Sequence, residues 1–379
     1  MSRLIVRTPK RWVLIDRTQI ARVGFGEPPQ GADEILEVGD AHILPGFIDV
    51  HVHGAVGRDT MDADPDSLLA MARFYAQHGV TSFFPTTMTA PHEKIVAALK
   101  AVREVMGKPT GGARIYGAHL EGPYINAAMI GAQNPAYARR ATPDETRELL
   151  DLGVIQRITL APEFAENHAF IRDAAAHGIA VSAGHTQATP DDLRAAIALG
   201  LLHTTHTFNA MTALHHRNPG TVGAALAFDQ LTCELISDTI HVHPLVMKIL
   251  ARAKASNRVI LITDAMAGAG MPDGQYDLGG LAVTVGAGQA RLTDGGALAG
   301  SVLTYECGVA NFAQAIGKDW DTLSDYFANN AAASHPNLRN KGQIYPGRDA
   351  DITVVSPGGQ VLFTIVVGEV VYNHSLDPN

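Results

Sequence analysis

Cysteine is nearly absent: the 379-residue chain has two, Cys233 and Cys307, and they form no C-x-x-C pair. That excludes a disulfide framework or a thiolate zinc knuckle as the organising device, and a cytoplasmic setting is expected. Charge is also sparse, at 18% of residues with a net charge of −9. No Lys/Arg run marks a nucleic-acid face, so no nucleic-acid partner is expected. No apolar stretch reaches the ~20 residues of a membrane span, so no membrane partner is expected either. No G-x-G-x-x-G follows the first strand of the central region, which counts against an open, doubly wound nucleotide-binding sheet.

Hydrophobic residues make up 46% of the chain, a globular balance. The length exceeds the ~250–300 residues at which one core stops growing, so a large unit with a small one is expected. Both chain ends read as short strands broken by Gly and Pro, with no convincing helix. Residues 1–44 and 342–379 are therefore expected to pair into one small β-sandwich, since chain ends often lie close together. Residues 45–341 have another rhythm. Apolar runs at 43–50, 80–85, 114–120, 157–161, 179–182, 203–207, 232–237 and 259–263 alternate with helical patterns at 65–78, 92–106, 143–152, 165–177, 190–199 and 244–255. About eight such units predict an α/β fold, a (β/α)₈ TIM-type barrel.

The abundant residue is histidine, with 17 copies. In such a barrel the chemistry lies where strands end. The first strand closes with His51-Val52-His53, two rings on one side of an extended segment and a good metal pair. Glu121 ends the third strand, His185 follows the fifth, His206 the sixth and Asp264 the eighth. Singly, each has a structural explanation; together, His and carboxylate groups at successive strand ends indicate a zinc- or iron-type divalent ion. His206 lies nearer its strand end than His203, so His206 is taken as the ligand. His203 and His119 read as supporting residues.

The run Ile43-Leu44-Pro45-Gly46-Phe47-Ile48-Asp49-Val50-His51-Val52-His53-Gly54 resembles the first-strand motif of the amidohydrolase superfamily. Gly347-Arg348-Asp349-Ala350-Asp351 resembles that superfamily's return into its small β domain. Within it, His119-Leu120-Glu121-Gly122-Pro123, Phe208-Asn209-Ala210-Met211 with His215-His216-Arg217-Asn218-Pro219-Gly220, Asp238-Thr239-Ile240-His241 and Leu298-Ala299-Gly300-Ser301 resemble the N-acetylglucosamine-6-phosphate deacetylases. The resemblance runs almost the whole chain.

The resemblance implies that Glu121, His185 and His206 hold the ion and that Asp264 is the catalytic acid/base. Asn209, Ala210, Arg217 and His241 would bind the sugar phosphate, with Leu298, Ala299 and Gly300 along the sugar. It also implies a homodimer in which Arg217 and His241 reach the neighbouring subunit's site. By itself Arg217 reads as a solvated surface charge. Gln133 stands where the family carries a carbonyl-polarising histidine; it can donate a hydrogen bond but carries no charge. One or two ions per chain are expected, zinc first, with iron, cobalt or manganese open. His51 and His53 would form a second site if Glu121 bridges. The implied activity is release of acetate from N-acetylglucosamine 6-phosphate. The alternatives are an epimeric substrate such as N-acetylgalactosamine 6-phosphate, or a non-catalytic sugar-phosphate- or metal-binding barrel.

Overall fold

The computed structural model describes residues 3–375. Residues 1–2 and 376–379, expected in the small β unit, lie outside them. Eight parallel strands form the centre: Phe47–Val52, Val80–Thr87, Ala118–Glu121, Ile155–Leu160, Ala180–Ala183, Leu201–Thr204, Thr232–Ile236 and Val259–Ile262. Each pairs in parallel with the next. The ring closes just past the eighth strand, where Asp264 N donates to His51 O at 2.9 Å and His53 N donates to Ala265 O at 2.8 Å. This is the α/β barrel, of the (β/α)₈ type, that the sequence pattern predicts.

The strands are apolar on both faces, and the alternation explains where each face goes. Val259 and Leu261 join the large cluster packed under the helices. Their neighbours Ile260 and Ile262 join a separate buried cluster with Ile48, Val50, Phe84 and Ile236. Some of the surrounding helices begin at side-chain caps. Asp64 accepts from Asp66 N and Ser67 N ahead of helix Pro65–Gln77, and Thr189 forms a capping box with Asp192 ahead of Pro190–Ala198.

Several parts differ from expectation. Residues 114–120, read as one strand, are Arg114–Ile115 and Ala118–Glu121. Residues 43–50, read as one strand, are two. His42–Pro45 pairs antiparallel with Ile352–Val355 in the small unit, and Phe47–Val52 enters the barrel. Gly46 lies between them, where an added Cβ would come within 2.3 Å of the Thr81 side chain. Only glycine lets the chain cross so close to the second strand. The stretch between 264 and 341, for which no element was expected, holds helix Tyr305–Ile316 and a three-stranded antiparallel sheet, Gly274–Leu278, Leu281–Gly286 and Gln289–Leu292. Helix Gly220–Ala227 was also unexpected; six of its residues are buried, so it shows no amphipathic period.

The small unit is built from both ends of the chain. Arg3–Arg7, Arg11–Asp16, Gln19–Phe25 and Glu34–Glu37 form one four-stranded sheet; His42–Pro45, Ile352–Val355, Val361–Val366 and Glu369–Asn373 form another. Leu4, Val6, Val13 and Ile15 share a core with Ile352, Val354 and Ile365. Buried Lys341 sits at the joint, 2.5 Å from Asp351 and 3.0 Å from Asp349.

Candidate active site

Six side chains expected at strand ends converge at the C-terminal mouth of the barrel. His51 is in the first strand and His53 directly follows it; Glu121 ends the third. His185, His206 and Asp264 each lie two residues beyond their strand. All three have positive φ, at 49°, 31° and 52°. This left-handed backbone costs a non-glycine residue about 1–3 kcal/mol. The turn directs each side chain back across the mouth. Hence His206 reaches the cluster by leaving its strand, whereas His203 stays in the strand and is buried elsewhere.

Glu121 is the hub. Its Oε1 lies 3.2 Å from His206 Nε2, 3.3 Å from His185 Nε2 and 3.5 Å from His51 Nε2. Its Oε2 lies 3.2 Å from His53 Nε2 and accepts from Gln133 Nε2 at 2.7 Å. Two groups of potential ligands thus share it: His51–His53–Glu121 and Glu121–His185–His206. Asp264 Oδ1 stands 3.2 Å from His53 Nε2 and 3.4 Å from His51 Nε2.

The outer ring nitrogens show what the inner ones offer. His51 Nδ1 faces Glu234 Oε2 at 3.2 Å, His53 Nδ1 the carbonyl of Thr86 at 3.2 Å, and His185 Nδ1 the carbonyl of Met129 at 2.9 Å. These partners only accept, so the network assigns a proton to each Nδ1 and leaves an Nε2 lone pair for the cluster in the neutral ring. His185 and His206 bring their Nε2 atoms within 3.1 Å of one another. His51 Nε2 and Glu121 Oε1 are buried without a hydrogen-bond partner. Convergent, unsatisfied acceptors of this kind fit a divalent cation.

The charges agree. Burial pushes the Glu121 carboxyl up, but His51, His185 and His206 outweigh it and hold the group well below its ordinary range. Burial likewise opposes ionisation of Asp264, and His51 and His53 bring it below the usual aspartate value. In return, and against burial, Asp264 and Glu121 raise His53 to about 9. Without a cation the carboxylates are balanced by protonated imidazole; a bound cation must displace that proton.

Above the cluster lies a cavity of about 140 Å³. Of the expected substrate groups, Gln133, Asn209, Ala210, His241, Leu298 and Gly300 line it, alongside His53, Glu121, His185, His206 and Asp264. His51 lies outside this lining and is fully buried. Two expected residues are placed elsewhere. Ala299 is buried in the cluster with Met266, Val283 and Val285, so its side chain does not face the cavity. Arg217 is exposed, with Nη1 2.9 Å from His216 Nε2. His241, expected to reach outward to a neighbouring subunit, lines the cavity of its own chain, its Nδ1 2.6 Å from Asp238 Oδ2. A larger cavity of about 670 Å³, at the joint with the small unit, holds none of these groups.

Some contributors belong to none of the motifs. Leu278, from the unexpected antiparallel sheet, and Met88, just past the second strand, give the cavity apolar walls. Glu234 and Arg157 lie behind the histidines. A charged residue within a strand of the barrel was the available signal for each.

The amidohydrolase family model matches residues 42–371. The chain belongs to the amidohydrolase family. This amidohydrolase is 37% identical, over 95% of its length and 92% of the relative's, to the N-acetylglucosamine-6-phosphate deacetylase of Bacillus subtilis (strain 168). It is 38% identical, over 84% of its length and 85% of the relative's, to the N-acetylgalactosamine-6-phosphate deacetylase of Escherichia coli O157:H7. It superposes with a TM-score of 0.92 at 30% identity on an aspartate-to-alanine mutant of N-acetyl-D-glucosamine-6-phosphate deacetylase from Mycobacterium smegmatis, solved in complex with N-acetyl-D-glucosamine-6-phosphate. That match covers 98% of this chain and all of the other.

Proposed function

We propose that this amidohydrolase hydrolyses the acetamide of N-acetylglucosamine 6-phosphate, giving glucosamine 6-phosphate and acetate. The observation that carries the reading is the His/Glu cluster around Glu121 with Asp264 at the rim of the same cavity, in a chain whose relatives carry that activity in their names. Glu121, His185 and His206 would hold a divalent ion, zinc first among N/O-binding metals, and His51 and His53 with Glu121 a second. Such an ion supplies an acidified water and polarises the acetyl carbonyl.

The chain's own groups do the rest. Asp264, kept ionised beside His51 and His53, accepts a proton from the attacking water and returns it to the departing amine. Gln133 is fixed at both ends, its Oε1 accepting from Thr89 N at 2.7 Å while its Nε2 donates to Glu121. The second N–H of that amide is the donor available to the developing oxyanion. Asp238 caps Ile240 N and His241 N and accepts from His241 Nδ1, which points His241 Nε2 toward the sugar. Asn209, the Ala210 backbone, Leu298 and Gly300 line the same cavity and would hold the sugar.

Arg217 would clamp the phosphate with His241, reaching the site of a second copy in a homodimer. Exposed Leu214, Leu245 and Ile249, near the Arg217 loop and on helix Pro244–Ala253, support such an interface. Free thiols at Cys233 and Cys307 support a cytoplasmic setting. Neutral Gln133 and the E. coli relative favour one second reading, the galactosamine epimer as substrate. Acetate release across phosphorylated and unphosphorylated N-acetyl sugars, with metal content measured on the same sample, tests both. The gluco 6-phosphate should give the highest kcat/KM; no release from any phosphorylated sugar would refute the activity.

A further inference from the structure

Behind the histidines lies an ion pair with no part in the reaction just described. Arg157, on the fourth strand, and Glu234, on the seventh, have no solvent exposure. Arg157 Nε is 2.6 Å from Glu234 Oε1. The contact is not a directed hydrogen bond, so charge holds it. The other oxygen, Oε2, has two neighbours: it lies 3.2 Å from His51 Nδ1 and accepts from the backbone N–H of His206 at 3.1 Å. A single carboxylate oxygen therefore touches the ring of one histidine pair and the main chain of the other.

Buried ion pairs are poor stabilisers, since apolar groups of similar volume often serve the core as well or better. The geometry gives this one another use. An ionised Oε2 accepts Nδ1–H of His51 and so leaves Nε2 free to face Glu121 and Asp264, at 3.5 and 3.4 Å. The same oxygen anchors the turn at His206, where φ is 31°. Arg157 supplies the counter-charge that lets Glu234 remain ionised beside a cluster already holding Glu121 and Asp264.

We infer that Glu234, with Arg157 as its counter-ion, is a positioning residue that sets the tautomer of His51 and ties to it the turn carrying His206, keeping the two halves of the cation site in register. The inference rests on the reading that the cluster binds a divalent ion.

The test uses Glu234→Gln and the double variant Arg157→Met/Glu234→Leu, which replaces the pair with apolar groups. Zinc affinity is measured by competition with a chromophoric chelator, together with the visible spectrum of the cobalt-substituted protein and separate kcat and KM values. Both variants should lose zinc affinity roughly 10–100-fold and alter the cobalt spectrum, the size typical of losing a partner behind a ligand. kcat should fall while KM stays nearly constant. Wild-type zinc affinity and an unchanged cobalt spectrum in either folded variant, whatever its Tm, would reduce the pair to a core ion pair and overturn the inference. If neither variant folds, Arg157→Lys decides: it keeps the charge but not the reach, so affinity should fall severalfold, and an unchanged affinity overturns the inference. An unmodified protein that binds no zinc, cobalt or manganese would instead sink the cation reading itself.

Discussion

The two histidine pairs that flank Glu121 stand on different backbones. His51 and His53 belong to the end of a barrel strand, and their outer nitrogens rest on two other strands of the barrel, at Glu234 of the seventh and at the carbonyl of Thr86 in the second. His185 and His206 stand past their strands on left-handed turns. His185 leans on the carbonyl of Met129, in the short 3-10 helix Ala127–Met129, and His206 Nδ1 is buried without a hydrogen-bond partner. The first pair is positioned by the barrel itself. The second is positioned by strained turns, and in the proposed reading it holds, with Glu121, the first ion. Precision in one pair comes from regular structure; in the other it comes from local strain held by the surrounding packing.

Four measurements sharpen or break that contrast. Asp264 contacts only the first pair and sits at the rim, so Asp264→Asn should lower kcat by about 10²–10⁴-fold with zinc content and Tm unchanged. Acetate release within tenfold of the unmodified enzyme would take Asp264 out of the reaction. Removing ligands separates the pairs: His206→Ala should lose zinc affinity by at least about 100-fold, whereas His53→Ala should keep about one ion per chain. Elemental analysis after loading with excess zinc decides, and the opposite pattern would reverse the comparison.

Arg217 belongs to neither pair. Arg217→Ala should cut kcat/KM by about 10–100-fold for the phosphorylated sugar and leave the unphosphorylated one unaffected, the size of a lost charged hydrogen bond. Equal losses on both would remove the phosphate clamp. The smallest effect is on pH. His53 is raised to about 9 in the metal-free protein, so below that value an incoming ion must displace its proton. Loading of the first pair should strengthen with rising pH by up to about tenfold per unit well below that pKa, the slope flattening as pH nears it, in zinc titrations between pH 6.5 and 8.5. For the metal-free fold the sign is opposite. The stability from the raised pKa is present in full below the ordinary histidine value and is lost as pH rises through about 9. A pH-independent affinity for the first pair would refute this part.

Much of the barrel was legible because its strands are apolar runs of strand length that end in polar residues with few other uses. His51, His53, Glu121, His185, His206 and Asp264 were findable on that ground, and the structure brings them together. Three kinds of feature were not. Gly46 splits an apolar run between two sheets, and nothing in residues 43–50 shows which sheet each half joins. Helix Gly220–Ala227 is apolar all round and the antiparallel sheet above the cavity is built from short mixed strands, so neither has a usable period. Ala299 follows Leu298 in a cavity-lining motif, yet alternate side chains face opposite ways, and Ala299 turns into the roof's own core.

The small β unit sets a schedule for the growing polypeptide. His42–Pro45 finds its partner in Ile352–Val355, and the apolar underside of the first sheet, with Leu4, Val6 and Val13, is covered by Ile352, Val354 and Ile365. On a ribosome the first of these strands emerges roughly 300 residues before its partner, which at ~5–20 residues per second is a wait of about 15–60 s. Throughout that interval an unpaired edge and a bare apolar face sit beside the nascent barrel, the kind of surface that draws in other chains. Slowing translation anywhere between the two partner strands should therefore lower soluble yield, whereas slowing it over the first forty or so codons should not.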